Sequence, residues 1–330
     1  MIDLLQRLAT SHGPSGDEGI IRDVISQEIS KHVDEVRTDA LGNLIATKRG
    51  SGGRRVMLAA HMDEIGCMLT FIDEKGYLRF STVGGLPVHY LLARPVRFKN
   101  GLLGSVGTEK IEHIKELAVE KMFIDIGAGS RQEAEKHVSV GDLVTYFPAF
   151  YNQGTRVISK AMDDRAGCCV LIKVAEQLKD CAHDVHFCFT VQEELGLRGA
   201  RTAAFALSPD VGIAVDVTTT GDTPKGITMD VSLGKGAAIK VMDESLISHP
   251  RLRQALVQVA RDRGIPYQLE VLVRGGTDAG VIQISKEGIP AGVISIPCRY
   301  VHSGAEMVDT GDMQAAVNLI CAYLATDLGI

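Results

Sequence analysis

The 330-residue chain reads as an α/β fold: a mixed sheet with helices on both faces, interrupted by a small inserted β-rich domain. Continuous apolar runs of strand length, Val56–Ala60, Val211–Val217 and Ala291–Ile296, mark strands covered on both sides. Segments of helical period separate them. From about Thr70 to Tyr151 the texture changes to short alternating segments and glycine-rich turns, which predicts the insert.

In chain order, Ile2–Thr10 has the pattern of a short amphipathic helix, and Ser11-His12-Gly13-Pro14-Ser15-Gly16 breaks it. Ile20, Ile21, Val24, Ile25 and Ile29 mark a second helical face. Val36–Thr38 and Leu44–Thr47, joined through Leu41-Gly42-Asn43, read as a strand pair. Val56–Ala60 then delivers His61-Met62-Asp63-Glu64 at its end. Inside the insert, Asn100-Gly101 within Val96–Val106 is a hairpin signal. The expected division is 1–69 with 158–330 for the discontinuous large domain, and 70–157 for the insert.

From Arg156 the α/β alternation resumes. Cys169, Val170, Leu171, Ile172, Val174, Ala175 and Leu178 recur with a helical period, and His186–Val191 is a β-branched, alternating strand. Val211–Val217 carries Asp216 near its end. A helix follows at Leu252–Arg263; Gly288-Ile289-Pro290 leads into Ala291–Ile296, and Arg299-Tyr300-Val301-His302-Ser303 comes after it. Met313–Leu324 is the last expected helix.

Bulk properties narrow the function. The formal charge is −6 with lysines and arginines scattered, which disfavours nucleic acid and anionic membranes as partners. The first residues hold an acid in too short an apolar run for a signal peptide, and no segment reaches the roughly 18 apolar residues of a membrane span. Seven cysteines lie mostly in apolar runs without CxxC spacing, as expected of reduced core residues in a cytoplasmic protein.

Chemistry concentrates at the ends of the expected strands. Ala161-Met162-Asp163-Asp164-Arg165-Ala166-Gly167 and Gln192-Glu193-Glu194-Leu195-Gly196 place two acidic pairs at the two ends of one helix–strand unit. In an open α/β sheet such loops meet at the carboxyl edge, where ligands bind. Crowded carboxylates persist only if they keep protons, find cations or hold metal. Together with them, His61, Asp216 and His302 complete a set of His61, Asp163, Glu194, Asp216 and His302, with Asp63 and Glu193 beside two of its members. Two histidines and three carboxylates suit two divalent ions about 3.5 to 4 Å apart, one carboxylate bridging. Any one of these residues alone reads more readily as a solvated or hydrogen-bonded surface group.

These stretches, with Ala60–Gly66, Ala214-Val215-Asp216-Val217, Gly275-Gly276-Thr277-Asp278-Ala279-Gly280 and Ile294–Ser303, resemble the dinuclear-metal aminopeptidases that assemble into tetrahedral dodecamers. That family includes glutamyl aminopeptidases and proteins once labelled endoglucanase M. The resemblance covers nearly the whole length and implies a metallopeptidase domain that removes N-terminal residues from peptides. It implies Asp163 as the bridge, His61 and Asp216 on one ion, Glu194 and His302 on the other, and Glu193 as general base and acid. Asp63 matches the carboxylate that accepts the other imidazole N–H of His61. The ions implied are zinc first, with cobalt or manganese as alternatives.

Asp278, in a glycine-rich loop, reads as a pocket residue and equally as a helix N-cap. The insert's histidines, His89, His113 and His137, share no spacing, and the resemblance makes residues 70–157 the self-association domain. After His302 this chain has Ser303-Gly304-Ala305-Glu306 where the family commonly has proline, so the loop is expected to be freer. An N-acyl amino-acid deacylase on the same ions, a glycosidase and a non-catalytic scaffold are the rival functions. The intact ligand set and Glu193 argue against the last.

Overall fold

The structure is a computed structural model describing residues 1–179 and 181–330. Before the insert come α1 (Ile2–Thr10), α2 (Gly19–Ile29), β1 (Glu35–Thr38), β2 (Leu44–Lys48) and β3 (Arg55–His61). The insert carries β4 (Gly66–Ile72), β5 (Leu78–Val83), α3 (Val88–Leu91), β6 (Pro95–Phe98), β7 (Leu103–Thr108), β8 (Met122–Asp125), α4 (Arg131–Ala134) and β9 (Leu143–Tyr146). The chain returns through β10 (Phe150–Gln153), β11 (Arg156–Ser159), α5 (Met162–Gln177), β12 (Asp184–Thr190), α6 (Arg198–Leu207) and β13 (Val211–Thr218). It ends with β14 (Ala237–Met242), α7 (Pro250–Asp262), β15 (Tyr267–Val271), α8 (Ala279–Ile282), β16 (Ala291–Arg299), β17 (Glu306–Asp309) and α9 (Thr310–Leu324).

The large sheet is mixed. Its centre is the parallel set β12, β3, β13 and β16, flanked by β2 antiparallel to β12 and by β14 and β17 antiparallel to β16. Every residue of β13 is buried, which is why it reads as an unbroken apolar run with only one acid. Helices α1, α2, α5, α7 and α9 share one core with one sheet face, and α6 and α8 cover the other. Within α1, Leu4, Leu5 and Leu8 form the buried stripe, and each is worth about 1.5–3 kcal/mol of apolar burial.

The insert is a closed barrel of β4, β5, β8, β7, β6 and β9 with its own apolar core. Its strands run from Gly66 to Tyr146, while β10 and β11 pair with β17 in the large sheet. The barrel therefore starts and ends earlier than the expected 70–157. The alternating segment around Tyr151 is an edge hairpin of the large domain, and alternation alone does not say which sheet a strand joins. Helix α9 begins at Thr310 rather than Met313: Asp309 caps it by accepting from the Gly311 N–H at 2.6 Å, and its polar first turn hides the start.

None of the described helices is long and apolar enough to cross a membrane. All seven cysteines are free thiols.

Candidate metal centre and active site

The parallel strands all run toward one edge, and the candidate residues collect there. His61 is the last residue of β3; Glu193 and Glu194 follow β12; Asp216 sits near the end of β13; His302 follows β16; and Asp163 and Asp164 open α5. Together with Gly85 of the barrel, His61, Asp163, Glu193, Glu194, Asp216 and His302 line one cavity of about 520 Å³. Leu197, Val217, Leu272 and Val301 give it an apolar wall.

Asp163 faces both histidines. Its Oδ1 lies 2.9 Å from His61 Nε2 and its Oδ2 3.3 Å from His302 Nε2. Asp216 Oδ1 is 3.9 Å and Glu193 Oε2 4.0 Å from His61 Nε2, while Glu194 Oε1 is 3.3 Å from His302 Nε2. Two ligand trios result: His61, Asp164 and Asp216, and Asp163, Glu194 and His302, each with one donor atom per residue within 4.8 Å of the others. Asp164, which the sequence places in the acidic pair at the crevice but outside the expected ligand set, belongs to the first trio.

Protons are badly shared in this cluster. Burial raises Asp163, but its imidazole neighbours His302 and His61 outweigh it and hold the carboxyl below the usual range. Burial, with the Asp163 charge beyond it, pushes Asp216 up to about 8 against the pull of His61. Glu193 and Asp164 are pushed well above the ordinary carboxyl range, by burial first and by Asp216 among their neighbours. Burial resists the protonation of His302, yet Asp163 and Glu194 pull it up to about 12.

The donor set fits divalent metal. Asp164 Oδ2 and Glu194 Oε1 are buried without a hydrogen-bond partner among the described residues, each a lone pair in need of a cation. Imidazole must be neutral to ligate, and the carboxylates that now draw protons onto the histidines would ligate the same ions. Imidazole with carboxylate suits zinc, cobalt or manganese.

The surrounding groups fix the backbone. Asp63, fully buried, accepts from Ser15 Oγ at 2.6 Å and from the N–H groups of Glu193 and Glu194 at 3.0 and 3.3 Å. His61 Nδ1 donates to the Asp63 backbone carbonyl at 3.1 Å, whereas the nearer carboxylate oxygen is 3.6 Å away. Asp63 therefore orients both His61 and the acidic pair, the imidazole through its main chain more than its carboxylate. Glu306, which the sequence reading did not single out, accepts from the N–H groups of His302 at 2.7 Å and Asp163 at 3.0 Å. Gly304 packs on the Tyr146 ring and Ala305 N donates to Ser303 Oγ at 3.2 Å, so the loop lacking proline is held by contacts instead.

Asp278 is not among the residues lining the cavity. It is buried behind the site, accepts from Thr190 Oγ1 at 2.5 Å, and is pushed up to about 6 by burial. It stands at the N-cap position of the four-residue α8, as the alternative reading has it, though its side chain makes no capping bond there.

Residues 42–319 match the model of the M42 glutamyl aminopeptidases. The chain belongs to the M42 aminopeptidase family. A putative aminopeptidase of Acetivibrio thermocellus is 51% identical over 97% of both chains. An aminopeptidase from the archaeon Desulfurococcus kamchatkensis has a solved structure with TM-score 0.94 and 39% identity, over 98% of this chain and 94% of that one. The TET1 peptidase of Pyrococcus horikoshii, described as assembling into a tetrahedron or a large octahedral shell, follows at TM-score 0.87 and 35% identity over 98% of each chain. This M42 member is thus a metal-dependent peptidase of the aminopeptidase class, with the fold of self-assembling relatives.

Proposed function

We propose that the chain is a dinuclear metallo-aminopeptidase that removes one residue at a time from the N-terminus of peptides, with Glu193 as general base and acid. The observation that carries this is the placement of Glu193: on the cavity wall, beside both ligand trios, with a carboxyl raised well above its ordinary range by burial. Asp163 would bridge two ions, His61 and Asp216 holding one and Glu194 and His302 the other. Asp164, within reach of His61 and Asp216, is a further donor for the first ion. Two divalent ions held by these residues would supply a water of lowered pKa and polarisation of the scissile carbonyl. Glu193 takes the proton of that water and passes it to the leaving amine. Asp63 holds the Glu193 backbone by its N–H, so the carboxyl swings from a fixed point.

The acidic cavity favours a free, cationic α-amine beside the scissile bond by charge complementarity. Unblocked amino-acid p-nitroanilides and short peptides are expected to be cleaved, and the same compounds acetylated at the amine to be inert. Faster release from acetylated substrates in a chromogenic panel would replace this reading by the deacylase. We further propose that the barrel, which holds none of the catalytic set, carries self-association. Light scattering is expected to show particles far larger than a 35.5 kDa monomer; a chain that stays monomeric at high concentration removes the assembly proposal.

A further inference from the structure

The two halves of the centre are built differently. The half containing His61 is furnished by the large domain alone: its imidazole donates to the carbonyl of Asp63, two residues on. The half containing His302 straddles two domains. His302 stands on an irregular loop, with φ of 61° at Tyr300 and 63° at His302 itself. Non-glycine residues keep such backbone only where their surroundings over-determine it.

Part of those surroundings comes from the barrel. His302 Nδ1 lies 2.8 Å from the carbonyl of Gly85, in the turn between β5 and α3. A carbonyl only accepts, so Nδ1 carries a proton, and in the neutral ring that a metal requires this leaves the lone pair on Nε2, the atom facing Asp163 and Glu194. The turn also touches the other ligand: a Cβ built on Gly84 would lie 3.1 Å from Glu194 Cβ and 3.2 Å from its Oε2. A Cβ on Gly85 would lie 3.0 Å from His302 Cε1 and 3.1 Å from Nδ1. The next residue, Leu86, belongs to the barrel's core, so the turn moves with the barrel. Tyr146, at the end of β9, backs the same His302 loop at Gly304.

We propose that the barrel completes the second half of the metal centre, its Gly84–Gly85 turn positioning His302 through the Gly85 carbonyl and bracing Glu194. Affinity for one ion then depends on how the barrel is seated, while affinity for the other does not. Contacts that hold the barrel in place, such as Arg97 Nη2 to the Thr10 carbonyl at 2.9 Å and Lys99 to Asp17 at 2.6 Å, act on the centre at a distance. The inference rests on the reading that Glu194 and His302 hold an ion.

Gly85→Ala in the full-length protein tests it. Gly85 has no positive φ, so alanine fits the backbone and only the contact with His302 tightens. Zinc affinities are measured by competition with a chromogenic chelator, and thermal unfolding is followed in chelated and metal-loaded protein. The expected result is two ions in the wild type, and in the variant one affinity lowered by roughly 10–100-fold with the other unchanged. Chelated protein should unfold as the wild type does, and Gly85→Val should lose more affinity than Gly85→Ala. Two ions held at wild-type affinity in both variants would overturn the inference and leave the dinuclear reading standing. So would an equal loss of stability with and without metal, which marks a folding defect. A wild type that binds fewer than two ions takes down the dinuclear reading, and this inference with it.

Discussion

Glu193→Gln is expected to keep its metal and lose about two to four decades of turnover. Glutamine preserves the size of the side chain and the Asp63 contact that fixes its backbone, but it cannot accept the proton of the attacking water. The nearest imidazole nitrogen, His61 Nε2, is 4.0 Å from Glu193 Oε2, against 2.9 Å for Asp163 Oδ1. Glu193 belongs to neither ligand trio, so elemental analysis after dialysis should return the wild-type metal content. Asp163→Asn is the contrast, because Asp163 faces both histidines: occupancy of both sites should fall with activity. If Glu193→Gln lost metal and activity in step, Glu193 would be a ligand. If Asp163→Asn kept both ions, another carboxylate, Asp164 first, would be the bridge.

The legible part of the centre was the part standing at the ends of apolar runs. His61 closes an uninterrupted buried strand, Asp216 is the one acid in another, and both acidic pairs sit at element boundaries; an ionisable group in such a place has few structural reasons to be there. What escaped had no such contrast. Glu306 follows a glycine-containing loop and resembles any solvated acid, yet it is 1% exposed and clamps two backbone N–H groups. Asp164 was in view as one of four carboxylates facing the crevice, but nothing in the pair said that both halves would stand within ligand distance of a histidine. Gly85 carries no chemistry of its own, and its role exists only because the barrel folds back against β16's end. Asp278 could not be settled from its glycine-rich setting, which suits a ligand loop and a helix start equally; it stands at the N-cap position of α8, behind the cavity wall. The barrel's limits blurred because β10 and β11 alternate like barrel strands while pairing elsewhere.

Glu64→Ala is expected to cost about 3–5 kcal/mol of stability, the price of stranding buried charge. Glu64, Lys160 and Arg165 are 2%, 1% and 0% exposed. Lys160 Nζ donates to both Glu64 oxygens at 2.7 and 2.6 Å, and Arg165 Nη2 reaches Oε1 at 3.4 Å. Both cations also donate to the carbonyl of Ser11, and Arg165 to those of Leu8 and Gly13. The cluster thereby ties the α1–α2 connection to the end of β3 and the start of α5, the elements that present His61 and Asp163. Removing the carboxylate leaves two cations with carbonyls alone. Lys160 is already held down to about 8, by burial first, with Glu64 pulling it up and Arg165 pushing it down. Between that value and the ordinary 10.5, the unfolded chain binds the proton and the folded one releases it, so this group makes stability rise with pH across that window. Without Glu64 the folded value drops further and the window extends downward, so the lysine's share of the deficit is full below the variant's lowered value, fades as pH rises toward about 8, and is gone above it. Urea unfolding of wild type and variant at about pH 7 and about pH 9 measures both effects. A loss under about 1 kcal/mol at the lower pH, or a deficit that does not shrink at the higher one, would mean that water reaches the cluster and screens its charges.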